Sequence, residues 1–148
     1  MSFVENMPGH LVRRFHQASV SIFHQQVDAT GYDITPVQFA ALDRMARAPG
    51  IDQITLAGLI GCDRTTMAGV VARLAKKNWI TRETNPDDRR SKSLFLSSQG
   101  AQMLTAVSPS IERAQEAMLA ALTESERVVF LTLLKKATEE LSDSFGAG

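Results

Sequence analysis

A single cysteine, Cys62, leaves the chain no way to form a disulfide within itself. No apolar run approaches the roughly 20 residues that span a bilayer, and the N-terminus lacks the apolar core of a secretion signal. These absences point to the cytoplasm. The chain also lacks a glycine-rich phosphate loop, a Gly-x-Ser-x-Gly turn and a convincing pair of carboxylates, so an enzyme reading has no support. Its three histidines, His10, His16 and His24, lie in one early stretch with no second cluster at metal-ligand spacing. Neither a metal nor a cofactor is expected. There is no internal repeat and no low-complexity segment. There is also no net charge, since 16 lysines and arginines balance 16 aspartates and glutamates.

What is present is ordinary in bulk and uneven in detail. The 148 residues, 44% hydrophobic and 22% charged, suit one domain, 1–148, with a moderate core. The uneven part runs from Asp63 to Gly100. Asp63 can cap a helix by accepting the free N–H groups of its first turn. Met67, Val70, Val71 and Leu74 then recur at i, i+3, i+4, i+7, one apolar helix face. Thr65, Gly69, Ala72 and Lys76 fall on the opposite face, flanked by Thr66 and Arg73. Asn78 tolerates the left-handed conformation that ends a helix. A β-prone run, Trp79–Glu83, and a turn signal at Asn85-Pro86-Asp87-Asp88 follow. From Ser93 to Ser97 the chain alternates, with Leu94 and Leu96 on one side and Phe95 on the other. The stretch therefore reads as helix, strand, charged loop, strand, and Ser97 or Ser98 restarts a helix.

Charge concentrates in this stretch. Between Asp63 and Lys92 stand eight cations, Arg64, Arg73, Lys76, Lys77, Arg82, Arg89, Arg90 and Lys92, against four anions, a net +4 that the rest of a neutral chain must offset. A phosphate backbone is attracted to such a footprint. The plain alternative is a solvated charged hairpin beside an ordinary helix. Upstream, residues 52–64 read as a short helix, a turn at Gly61 and the next helix, which is helix-turn-helix spacing. Leu56, Leu59 and Ile60 are expected to pack beneath the second helix.

The matching pieces Leu56-Ala57, Gly61, Asp63-Arg64-Thr65-Thr66, Leu74, Asp88-Arg89-Arg90 and Leu96-Ser97-x-x-Gly100 resemble the winged helix-turn-helix of the MarR family (multiple antibiotic resistance regulators). The helices on both sides also fit. Asn78 stands where the family usually has Gly, and Ser97 where it usually has Thr. The resemblance implies a mainly α fold with a small β-wing. It places a DNA-binding lobe at 35–98 and helical dimerisation regions at 8–30 and 99–145. It implies a homodimeric repressor on pseudo-palindromic double-stranded DNA, with Arg64, Thr65, Thr66, Gly69, Arg73, Lys76, Arg89, Arg90 and Lys92 at the DNA.

The flanking helices can be read directly. Pro8 starts a helix to about Asp28 with Leu11, Phe15, Ala18 and Ile22 as its apolar stripe. Thr35-Pro36-Val37-Gln38 is a capping box that opens a second helix, whose buried side is Phe39, Leu42 and Met45-Ala46. A long helix runs from Gln99 to about Leu122 with Pro109 inside it, where the missing N–H should bend it. Thr123-Glu124-Ser125-Glu126 is another capping box, and Val129, Phe130, Leu133, Leu134 and Leu141 carry the final helix. So much aliphatic surface on the last two helices calls for a second copy of the chain.

Two rival functions stand beside DNA regulation. One is a winged-helix protein–protein module. The other is a redox switch through Cys62, although that residue occupies the turn, where a small buried group is usual. Finally, residues 7–14 with Thr35-Pro36-Val37-Gln38-Phe39 resemble a branch of the family associated with catabolism of aromatic acids, including nicotinate-type compounds. That likeness implies a small-molecule effector in an apolar slot, with a cation or imidazole for its carboxylate. Arg13, Arg14, His16, Phe23 and Phe39 are the residues expected there.

Overall fold

The structure, a computed structural model, describes residues 2–145; the two ends of the expected 1–148 domain lie outside them. A short 3-10 turn, Val4–Asn6, precedes α1 (Pro8–Asp28) and α2 (Pro36–Arg47). Then come β1 (Ile51–Asp52), α3 (Gln53–Ile60) and α4 (Arg64–Lys76). The wing strands β2 (Ile80–Asn85) and β3 (Asp88–Leu96) follow, and α5 (Ser98–Met118) and α6 (Glu124–Phe145) close the fold. The three strands form one antiparallel sheet in the order β1-β3-β2.

Helix starts follow local chemistry closely. Thr35 Oγ1 accepts the Gln38 N–H while Gln38 Oε1 accepts the Thr35 N–H, both at 3.1 Å, a reciprocal capping box. Asp52, Asp63 and Ser97 each accept the N–H three residues on, opening α3, α4 and α5. Thr123 and Glu126 make the second box, before α6. Gly61, at φ 79°, turns the chain out of α3 in a conformation that a side chain would strain. Asn78 does the same after α4 at φ 63°.

A single core holds the lobe to the long helices. Leu42 and Met45 of α2, Leu56 of α3, Met67, Val71 and Leu74 of α4, Leu94 of β3 and Met103 and Val107 of α5 are fully buried within it. Each such side chain contributes about 1.5–3 kcal/mol. The end of α4 also meets the start of α5 closely. At Gly100 a Cβ would overlap the Trp79 carbonyl oxygen and the Leu96 side chain, so only glycine fits.

Several details differ from the expected pattern. On α3, Ala57 is buried and Leu59 is 50% exposed, because only one side of an eight-residue helix faces the core. Ala46 of α2 is exposed. On α1 the buried residues are Phe23 and Val27, whereas Leu11 and Phe15 of the expected stripe remain exposed. The expected charged loop is largely strand: β3 begins at Asp88, and the turn shrinks to Pro86-Asp87. The two-residue β1 was not expected; it exists only by pairing Ile51 and Asp52 with Leu94 and Ser93. Helix α5 stops at Met118 rather than near Leu122. Pro109 sits inside it as expected.

Candidate functional site

Helices α3 and α4 meet at 109° across the Gly61–Asp63 turn. Such an angle lifts the outer face of α4 clear of its support. Arg64, Thr65, Thr66, Arg73 and Lys76 are all exposed along it, while Met67, Val70, Val71 and Leu74 anchor the opposite face. The Asp63 carboxylate accepts both the Thr66 N–H at 2.6 Å and the Thr66 hydroxyl at 2.9 Å. Those two bonds, the backbone one first, hold the Asp63 pKa below its ordinary value. The Thr66 hydroxyl proton is thereby committed, so toward a ligand this side chain offers its remaining lone pair. Gly69 is half-buried, and the Arg73 guanidinium folds back over it, 3.4 Å from where a Cβ would stand. The glycine makes room for the arginine.

The wing carries its own device. Thr84 pairs with Lys92, yet the next pair is Asn85 with Asp88, so Arg89, Arg90 and Ser91 have no opposing residues on β2. A bulge of this kind re-aims side chains out of the ladder. Asp88 Oδ1 accepts the Arg90 N–H at 3.0 Å, and Asn85 Oδ1 accepts the Asp87 N–H at 3.0 Å, which stiffens the tip. Asp88 thus fixes the backbone at Arg90. Between wing and helices lies a cleft of about 440 Å³, bordered by Gln53 and Ile54 of α3, Arg64 of α4, and Asp88 and Arg90 of the wing. It brings Arg64 and Arg90 to one opening. Lys92 lines a smaller recess beside it, again with Gln53 and Ile54. The start of α3 was not anticipated as part of this surface. Its signal lay in Asp52, the cap that places Gln53 and Ile54 in a first helical turn.

A second cavity, about 510 Å³, lies where α1, α2 and α5 meet. Three helix faces line it: His16, Ser19, Val20 and Phe23; Pro36, Phe39, Ala40, Asp43 and Arg44; and Ile111, Gln115 and Met118. The first two faces repeat at i, i+3, i+4, i+7, which is why they converge on one space. Of the expected effector residues, His16, Phe23 and Phe39 are brought together here. Arg13 and Arg14 are not; both are exposed on α1 outside the lining. The cation on the wall is Arg44, which makes no ion pair among the described residues, whereas the neighbouring Asp43 is bound to Arg47 at 3.0 Å. Sequence reasoning overlooked Arg44, although it lies eight residues after Pro36 on the same helix side.

Cys62 is half-buried against the core, and its N–H is held by the Ala57 carbonyl. No group of three or more metal-binding side chains occurs among the described residues, and none of their helices is long and apolar enough to cross a membrane.

A helix-turn-helix followed by a two-stranded wing with a basic tip defines a winged-helix DNA-binding protein. Residues 34–92 match the MarR family. Over 133 residues the chain is 32% identical to the HTH-type transcriptional repressor NicR of Pseudomonas putida, covering 90% of this chain and 83% of that one. Among solved structures, PcaV from Streptomyces coelicolor in complex with its natural ligand superposes with a TM-score of 0.87 at 30% identity, covering 94% and 96% of the two chains. BpsR from Bordetella bronchiseptica, whose DNA binding is regulated by 6-hydroxynicotinic acid, gives 0.85 at 26% identity, covering 93% and 96%. The chain belongs to the MarR family of transcriptional regulators.

Proposed function

We propose that the protein is a homodimeric, cytoplasmic repressor that binds pseudo-palindromic double-stranded DNA and is released by a small aromatic acid. Residues 8–30 and 99–145 act as its dimerisation arms and 35–98 as its DNA-binding lobe. In this reading α4 enters the major groove N-terminus first, with Thr65, Thr66 and Arg73 at base edges or adjacent phosphates. Arg64 and Arg90 grip the backbone from the two sides of the wing cleft, and Arg89 and Lys92 add charge at the tip.

The observation that carries the effector half is the cavity between arms and lobe. Its size suits a small molecule. Phe23, Phe39 and Ile111 supply apolar walls, and Arg44 and His16 supply polar groups for a carboxylate. The regulation of BpsR by 6-hydroxynicotinic acid supports that ligand class. The test is to select a duplex from random sequence with the purified protein and titrate 6-hydroxynicotinate and hydroxybenzoates into the complex. Release by at least one of these acids, and not by benzyl alcohol, is expected. Release by none of them sinks the aromatic-acid assignment.

A further inference from the structure

Lys77 belongs by sequence to the basic run, yet its charge is used inside the molecule. Its Nζ donates to the Asp33 backbone carbonyl at 2.6 Å, across 44 residues of chain. The same ammonium lies 4.6 Å from the centre of the Trp79 ring, within cation–π range. Trp79 in turn faces Tyr32, with ring centroids 6.4 Å apart. Lys77 is the C-cap residue of α4, while Tyr32 and Asp33 lie in the connection between α1 and α2, just before Pro36 on the wall of the α1–α2–α5 cavity.

The same end of α4 is tied on a second side. The Ser97 hydroxyl donates to the Asn78 carbonyl at 2.6 Å and accepts the Gly100 N–H at 3.0 Å, so one side chain joins the exit of α4 to the start of α5. The Ser97 N–H reaches the Trp79 carbonyl at 2.9 Å. The far end of the DNA-facing helix is therefore fastened on two sides, to α5 through Ser97 and to the α1–α2 connection through Lys77.

We propose that Lys77 is a positioning residue: it fixes the angle of α4 by clamping the helix end to Asp33 and Trp79, and it does not neutralise a DNA phosphate. This rests on the DNA-binding reading above, but the clamp can be checked without DNA. A helix fixed only at its centre by core contacts can still pivot, and a tether at its last residue opposes that pivot. Lys77 also stands at the C-terminal end of α4, where the helix dipole favours positive charge. An arginine keeps both the donor and the ring contact, whereas a methionine keeps the stem and loses both.

The experiment uses the full chain with Lys77→Met and Lys77→Arg. Lys77 is exposed, so both variants should fold, which circular dichroism checks. Trp79 is the only tryptophan, so its emission reports the clamp in free protein. The emission should change in Lys77→Met and return toward that of the unaltered protein in Lys77→Arg. On a duplex selected with the unaltered protein, Lys77→Met should bind about two- to fivefold more weakly, the range of an exposed cation–π contact. The slope of log affinity against log salt should stay the same. Unchanged Trp79 emission in Lys77→Met overturns the clamp, whether or not any duplex is bound. A slope reduced by about one makes Lys77 a phosphate contact and overturns the proposal. Unchanged affinity with altered emission overturns the positioning role. If the unaltered protein selects no duplex, the DNA-binding reading fails and the positioning role falls with it, while the emission arm still decides whether the clamp exists.

Discussion

Phe15 of α1 and Phe130 of α6 meet edge to face, with ring centroids 5.4 Å apart and planes inclined at 62°. This contact joins the two ends of the chain, and around it Leu11, Val12 and Leu134 border an apolar groove of about 450 Å³. No α6 residue up to Ser142 is buried, and Val128, Leu133 and Leu141 are each more than half exposed. So much aliphatic surface on one helix exceeds the scattered exposure usual for a monomer.

A dimer through these helices is the expected remedy. Leu134→Glu should leave the single chain folded, since the side chain already touches solvent, but it would force a carboxylate into the shared face. Sedimentation at micromolar concentration should give a dimer for the unaltered protein and a shift toward monomer for the variant. A monomeric unaltered protein would rule out the arms as a dimer interface.

At the DNA surface, positioning and reading should separate. If Arg64 and Arg90 contact phosphates as proposed, Arg64→Ala and Arg90→Ala should each weaken binding to all duplexes and lower the salt slope by about one. Thr65→Ala should instead narrow the gap between the selected duplex and random DNA. If Arg90→Ala leaves both affinity and salt slope unchanged, the wing does not touch the backbone.

Much of this architecture was legible because it is locally encoded. Thr35, Asp63 and Thr123 announce helix starts through hydrogen bonds that span three residues, and Asn78 and Gly61 announce helix ends through backbone conformation. The apolar face of α4 follows directly from its spacing. What escaped depends on distant partners. Strand β1 exists because β3 passes beside it, and the bulge that frees Arg89–Ser91, though not the two arginines themselves, shows only once β2 is seen to leave them unpaired. Arg44 shares a helix side with Pro36 and Ala40, but that position alone does not mark a cavity wall. It becomes a cavity residue only once α1 and α5 close over α2.

Gly100→Ala tests the close approach of α5 to Trp79. The obstacle is a backbone carbonyl, already accepting the Ser97 N–H, so it cannot rotate aside as a side chain would. Overpacking of this sort costs about 1–3 kcal/mol or more. The melting temperature should fall by roughly 2–4 °C per kcal/mol for a chain near this size. A variant as stable as the unaltered protein would mean that α5 docks less tightly than the geometry requires.

Acid should loosen the helix starts in a defined direction. Hydrogen bonds from Thr55 and Thr66 lower the pKa of Asp52 and Asp63 below their ordinary 3.8, and those from Thr123 lower Glu126 below 4.5. The ionised caps thus contribute stability that is fully present above those ordinary values and is lost as pH falls through the lowered folded ones. Asn and Gln keep a capping oxygen without the charge. The combination Asp52→Asn, Asp63→Asn and Glu126→Gln should therefore melt with a shallower loss of stability below about pH 4.5 than the unaltered protein. Parallel curves across that range would refute the assignment.

The effector prediction turns on which cation meets the carboxylate. Arg44 stands on the cavity wall with no ion pair among the described residues, and His16 borders both this cavity and the apolar groove beside Phe15 and Phe130. A ligand seated there touches α1, α2 and α5 together, and a change in their spacing would reach α4 through the core. Release requires that the ligand bind the DNA-free arrangement more tightly, and a coupling of roughly 1–3 kcal/mol would weaken DNA binding about 5–150-fold. Arg44→Ala and His16→Ala should lose that response while binding DNA normally without ligand. Arg73→Ala should bind DNA poorly but still bind the acid. Arg14→Ala is the discriminating control, since Arg13 and Arg14 lie on α1 outside the lining. Titrating 6-hydroxynicotinate into complexes of all four variants gives the answer. Loss of the response in Arg14→Ala, with Arg44→Ala unaffected, would move the carboxylate site to the first turns of α1.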